Sequence, residues 1–265
     1  MRRPWATTHY PDAGLTVWDV DRGVVSFNDP GRVSGSAAWF SPDGRRFALA
    51  HEDGEILLDD PTTGQLLRRW PGPGGIKDLA FRPDGAAIAV TATEDPEGHR
   101  MASCWIFDAE AGRPIRSIPL PGPCDVAWSP DGTTLATPCD DARIDLWDAA
   151  TGLRKAVLVD HVNGGPGVAF HPAGTLLAGL DRWKGLRLWD PALGRLALTM
   201  DGTNRPQFSR DGRIIVALRD RLTTYRVEPA LEYRTFALGS AGPDQFLRAS
   251  IRRDGRVLAV GTSRG

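Results

Sequence analysis

The chain has 265 residues, 41% of them hydrophobic and 25% charged, a balance that buries a core and excludes a disordered segment. Its 32 basic and 33 acidic residues leave a formal net charge of -1, so no global field draws in nucleic acid or an anionic membrane. No apolar run reaches the roughly 20 residues of a spanning helix, and the opening MRRPWATTHYPD has basic residues but no apolar signal core, so a soluble, cytoplasmic protein is expected.

In chain order, residues 1–30 hold three strand-type runs within WATTHYPDAGLTVWDVDRGVVSFN. A first complete unit, about 33–72, follows as SAAWFS, RFALA, EILLDD and QLLRRW, four short runs separated by turn residues. Comparable units span about 74–120, 122–160, 164–201 and 204–239, which makes five. The last stretch, 244–265, holds two further runs in FLRASIRRDGRVLAVGTSRG. No run of ten or more residues has helical periodicity, so the fold class is all-β.

Two signals mark the units in one phase, which makes an internal repeat the first inference. Turn glycines Gly44, Gly85, Gly132, Gly174, Gly212 and Gly255 lie 41, 47, 42, 38 and 43 residues apart, the first three within Pro-Asp-Gly and the others within Pro-Ala-Gly or Arg-Asp-Gly. The pairs Trp18-Asp19, Asp59-Asp60, Phe107-Asp108, Trp147-Asp148, Trp189-Asp190 and Tyr225-Arg226 recur at 41, 48, 40, 42 and 36. In the first signal proline presets φ, aspartate bonds its own backbone and glycine accepts positive φ, so these aspartates read as turn formers and not as catalysts. In the second, Trp147 is expected to be buried between sheets, while Asp148, like Asp19 and Asp190, opens the next turn.

A four-stranded unit of about 42 residues is the blade of a β-propeller. Through its Trp-Asp ends and FSPDG-type turns the chain resembles the WD40 repeat family, as a divergent, bacterial-type set of repeats, along nearly its whole length. The resemblance implies one propeller domain over 1–265 with antiparallel blades. The two partial units either pool into a sixth blade, leaving one strand surplus, or show that the chain is a piece of a larger ring. It further implies a buried histidine ahead of a first strand. His161, nine residues before Phe170, has that spacing, whereas Gly31 and Pro119 stand there in units carrying Asp53 and Asp141. Apolar packing is therefore expected to hold the blades, with Ala48, Ala89, Ala136, Ala178 and Ala259 on the second strands.

No catalytic, phosphate-binding or dinucleotide-binding motif is found, and His9, His51, His99, His161 and His171 lie in different repeat contexts, none at metal-ligand spacing. Cys104, Cys124 and Cys139 lack close C-x-x-C couples and read as packed thiols. No metal and no cofactor is expected. The resemblance implies a non-catalytic scaffold that binds another protein or peptide, not nucleic acid or membrane, on the face bearing the second-to-third strand loops. Two such loops are unusual: TEDPEGHR, with Glu94, Asp95, Glu97, His99 and Arg100, and DRWKG, where Arg182 and Lys184 flank Trp183. The other eight tryptophans, at 5, 18, 39, 70, 105, 128, 147 and 189, fall on strand-type runs. Trp and Arg are favoured interface anchors. Lys77, Asp78, Asp125, Arg205 and Arg248, just ahead of first strands, are expected at the channel mouth on that face. The alternative is a propeller enzyme or small-ligand binder, lactonase-like or TolB-like, with a site at the central channel.

Overall fold

Antiparallel pairing accounts for every strand of the computed structural model. It describes residues 4–9, 13–19, 24–29, 37–51, 54–94, 101–139, 143–159, 164–181, 185–200, 206–209, 211–218, 222–226, 234–235, 246–251 and 258–262. They divide into two units, Met1–Pro123 and Cys124–Gly265.

In the first unit, β1 (Pro4–His9), β2 (Ala13–Asp19) and β3 (Val24–Asp29) form a three-stranded sheet in that order. A four-stranded blade follows from β4 (Ala37–Phe40), β5 (Phe47–Ala50), β6 (Glu55–Asp59) and β7 (Leu66–Pro71). A second four-stranded blade joins β8 (Ile76–Phe81), β9 (Ala87–Glu94), β10 (Met101–Asp108) and β11 (Pro114–Leu120).

The second unit has three four-stranded blades. One is β12 (Ala127–Trp128), β13 (Thr134–Cys139), β14 (Arg143–Asp148) and β15 (Arg154–Leu158). The next is β16 (Gly164–Phe170), β17 (Leu177–Asp181), β18 (Gly185–Asp190) and β19 (Arg195–Met200). Then come β20 (Gln207–Phe208), β21 (Ile214–Leu218), β22 (Leu222–Arg226) and β23 (Arg234–Thr235), and a pair, β24 (Phe246–Ile251) with β25 (Leu258–Thr262).

The middle strands of a blade flanked by two others in its unit are apolar on both sides because a sheet covers each face. Along β5 the side chains alternate, yet Phe47, Ala48, Leu49 and Ala50 are all buried. Phe47 and Leu49 join Val17 and Leu57 in one cluster. Ala48 and Ala50, with Ile56, Leu58 and Trp70, meet Ile76, Leu79, Ile88 and Val90 of the next blade in another. The second unit repeats this. Ala136, Ile144 and Leu146 pack on Leu177 and Trp189, while Ala178, Leu186 and Leu188 pack on Ile215.

Small side chains on second strands make room for large ones. Ala48, Ala89, Ala136 and Ala178 are all fully buried. At Gly179 an added Cβ would lie 2.7 Å from Ile144 Cδ1 and 3.0 Å from the Trp189 ring. The outermost strands carry the opposite pattern: β7 buries only Trp70, and β19 buries none of its residues fully.

Trp189 is 0% exposed, and burying an indole contributes about 4 to 6 kcal/mol as an upper bound. Trp189→Ala is expected to lower the unfolding free energy by about 3 to 5 kcal/mol in a urea titration. Leu193→Ala, at a side chain 67% exposed, should change it by less than about 0.5 kcal/mol. Comparable losses at both positions would contradict this distribution of core and rim.

Candidate functional site

The recurring aspartates close turns. After the third strand, Asp60 Oδ1 accepts the Thr62 and Thr63 N–H groups at 2.7 and 3.2 Å, and Asp108 Oδ1 accepts those of Glu110 and Ala111 at 2.9 and 2.7 Å. Asp148 takes the Thr151 N–H and hydroxyl, both at 2.8 Å, and Asp190 takes the Ala192 and Leu193 N–H groups, both at 3.0 Å. After the first strand, Asp131 Oδ1 accepts the Ser129 hydroxyl at 2.5 Å and the Thr133 N–H at 3.0 Å. Asp43 and Asp211 do the same with Ser41 and Ser209. Gly44, Gly85 and Gly132 sit at φ of 69°, 73° and 70°, the left-handed region that a side chain resists.

The unit with Ala173 in place of that aspartate uses His171 instead. Its Nδ1 accepts the Ala173 N–H at 3.1 Å, so the neutral ring carries its proton on Nε2, which donates to the Gly212 carbonyl of the next blade at 3.1 Å. The ring also meets Phe208 edge-on at 5.2 Å. His171 therefore does more than replace the turn serine: it ties two blades together.

The tryptophans of the third strands differ in their polar partners. Trp147 Nε1 donates to Thr137 Oγ1 at 2.8 Å, a fully buried bond across the sheet, and Trp189 Nε1 donates to the Val159 carbonyl at 3.4 Å. Trp105 donates to Ser103 at 2.8 Å. Asp59, in the slot these indoles occupy, is itself buried. Trp18 and Asp19 end β2, paired with Trp5 and Pro4. Cys104 and Cys124 are buried and form no disulfide.

The proposed partner face is described at its edges. Lys77 sits in a β-bulge between buried Ile76 and Asp78, and the extra residue turns its side chain outward. Glu94 pairs with Met101 at the end of β9, and Ile76 pairs with Ala92, so Lys77 lies at the sheet end that leads into residues 95–100. Asp95, Glu97, His99 and Arg100 fall outside the described residues. So do Arg182, Trp183, Lys184, Arg205 and His161. Asp181 pairs with Gly185 across the 182–184 link. Asp125 is half-buried just ahead of β12, and Arg248 lies in β24 opposite Gly261.

Asp78, expected at the channel mouth, is closed off from solvent. It is 3% exposed and accepts the Trp39 Nε1 proton at 3.2 Å, linking the first strands of two adjoining blades. Three other buried charges were not anticipated. Asp145, 1% exposed, is within 3.3 Å of Arg143 and 3.6 Å of Arg154, and Asp59 and Arg187 are buried in β6 and β18. Nothing in strand alternation distinguishes a polar residue on a covered face from one on an open face. Among the described residues no three His, Cys, Asp or Glu side chains converge to hold a metal.

Residues 112–148 match the model of the WD domain, G-beta repeat. Telomerase protein component 1 of Mus musculus is 28% identical over 191 residues, covering 69% of this chain and 7% of that protein. Coronin-7 of Homo sapiens is 28% identical over 146 residues, 52% of this chain and 16% of that one. An uncharacterized WD repeat-containing protein, sll1491, of Synechocystis is 27% identical over 137 residues, 51% of this chain and 38% of its own length. The chain thus spans a small part of these relatives. A chain in the crystal structure of a mitotic checkpoint complex superposes with a TM-score of 0.81 at 20% identity, covering 98% of this chain and 81% of that one.

The turn bonds set a pH dependence. The Ser129 hydroxyl and the Thr133 N–H hold the Asp131 carboxyl below its ordinary value of 3.8, Ser209 does so at Asp211, and the Arg82 guanidinium does so at Asp84. A carboxyl depressed on folding stabilises the fold fully above its unfolded pKa and loses that contribution as pH falls through the folded value. Urea stability should therefore decline as pH drops below about 4, and the triple variant D84N/D131N/D211N should show a flatter decline. Equal slopes in both proteins would show that these turns are not the source.

Proposed function

We propose, from the premise that this chain belongs to the WD40 repeat family, that it is a non-catalytic scaffold. It captures another protein or peptide at the blade ends that carry the second-to-third strand links. The supporting observation is the second blade of the first unit. There β9 and β10 run eight residues each, against four and five in β5 and β6, and carry an enlarged link beside the outward-turned Lys77. Strand interiors are closed to a partner because both faces are covered, so strand ends and links are what a partner can reach. The acidic Glu94, Asp95 and Glu97, followed by His99 and Arg100, give that link a mixed-charge surface suited to orienting a partner. Trp183 between Arg182 and Lys184 supplies an aromatic anchor of the kind that dominates binding energy.

The test uses the whole chain as bait. Trp183→Ala should leave the thermal midpoint within about 2 °C of the parent while reducing partner capture in a pull-down at least severalfold. A charge-reversed 94–100 link should also reduce capture. Unchanged capture in both variants overturns the reading, and a large drop in the midpoint for Trp183→Ala shows a core residue instead.

A further inference from the structure

Two of the described inter-blade junctions are each bridged at the turn ends of the sheets by one side chain, and a third lacks such a bridge. Between the two four-stranded blades of the first unit, Arg46 reaches across to the next blade's turn. Its Nη2 donates to the Gly85 carbonyl at 2.7 Å, and its guanidinium lies over the Phe81 ring, 5.9 Å from the centroid. Between the second and third blades of the second unit, His171 plays that part against Phe208 and Gly212. In both cases the receiving blade offers the same pair, an aromatic ring at the end of its first strand and the carbonyl of its turn glycine.

The junction between the first and second blades of the second unit offers this pair too, as Phe170 and Gly174. At the His171 position this junction has the turn serine Ser129, whose hydroxyl donates to Asp131, and at the Arg46 position it has Thr134. Its correspondence to Arg46 is structural as well as sequential, since each residue's N–H is bonded at 2.9 Å to the hydroxyl of a turn serine five residues earlier, Ser41 or Ser129. Threonine is too short to span the junction. An open cleft of about 620 Å³ remains, lined by Phe170, Gly174, Pro130, Asp131, Thr134 and Lys155 among others, a volume within the range of ligand pockets.

The cleft offers a cation a carboxylate and an aromatic ring. Asp131 is held in its ionised form by its turn bonds, and all three of those bonds fall on Oδ1. Lys155, the other charged residue of the lining, donates to Thr134 Oγ1 at 3.0 Å. A guanidinium suits the remaining space better than a second ammonium. It is flat enough to stack on Phe170, it forks toward both the Gly174 carbonyl and Asp131, and it is less strongly hydrated.

We infer that this cleft binds an arginine side chain of a partner polypeptide, reproducing from outside the contact that Arg46 makes within the chain. It adds a docking point at the turn ends of the blades, apart from the strand links proposed above, and it stands or falls independently of them.

The experiment titrates the whole chain with N-acetyl-arginine-N-methylamide and with its citrulline counterpart, following backbone amide resonances. The arginine compound should give saturable shifts at Gly174 and Phe170, and citrulline should bind at least about tenfold more weakly. Thr134→Arg, which supplies the missing arm, should abolish the shifts, while Thr134→Ser should keep them. The thermal midpoint of Thr134→Arg reports whether that variant is folded, and Phe170→Leu gives a second route to weakened binding. The assignment is overturned if no saturable shift appears by about 20 mM, if citrulline binds equally well, or if folded Thr134→Arg binds as the parent does. Loss of Trp183 should leave this titration unchanged, which separates its outcome from that of the pull-down.

Discussion

A blade flanked by two sheets of its own unit must bury both of its faces, and most of the molecule's chemistry follows from that. A sheet covered on one side alone can alternate apolar and polar residues along each strand. Here β5, β6 and β14 place buried side chains on both faces. Close approach of two such sheets also requires that small residues on one meet large ones on the other. Ala136 beside Leu177 and Trp189, and Gly179 against Ile144, show that fit. Polar groups are left with turns, strand ends and outer edges, or with a partner inside the stack.

The buried polar groups that do occur are mostly tied to a neighbour. Trp39 donates to Asp78 across two blades, and Trp147 to Thr137 within one. Desolvating a carboxylate costs several kcal/mol unless donors compensate, so Asp78 ties two blades together, while Asp145 is compensated by Arg143 and Arg154 of its own blade.

The strand plan was legible because turn chemistry is local. Pro-Asp-Gly and the aspartate after the third strand declare their hydrogen bonds within two or three residues, and those bonds are the ones formed at Asp43, Asp131 and Asp148. Burial of Asp78 was not legible, since it depends on an indole 39 residues away. The second role of His171 was hidden for the same reason: its sequence position announces a turn, and only the adjoining blade reveals a donor to Gly212. As for the candidate surface, sequence locates the long links by counting residues between turns. The bulge that turns Lys77 outward between two buried neighbours has no comparable signature.

Repetition makes the chain its own control. Arg46 and Thr134 hold one position in two blades, share the same bond to a turn serine, and differ in what they leave behind. Because the middle strands supply most of the burial, a turn residue can change from arginine to threonine without loss of the blade. The cost falls on one bond to a glycine carbonyl and one stacked ring. Such positions are where a repeat protein can acquire a binding site at small cost to its fold. A cleft between blades arises by shortening one side chain, while the ring and carbonyl that would receive a ligand are already held in place by the turn.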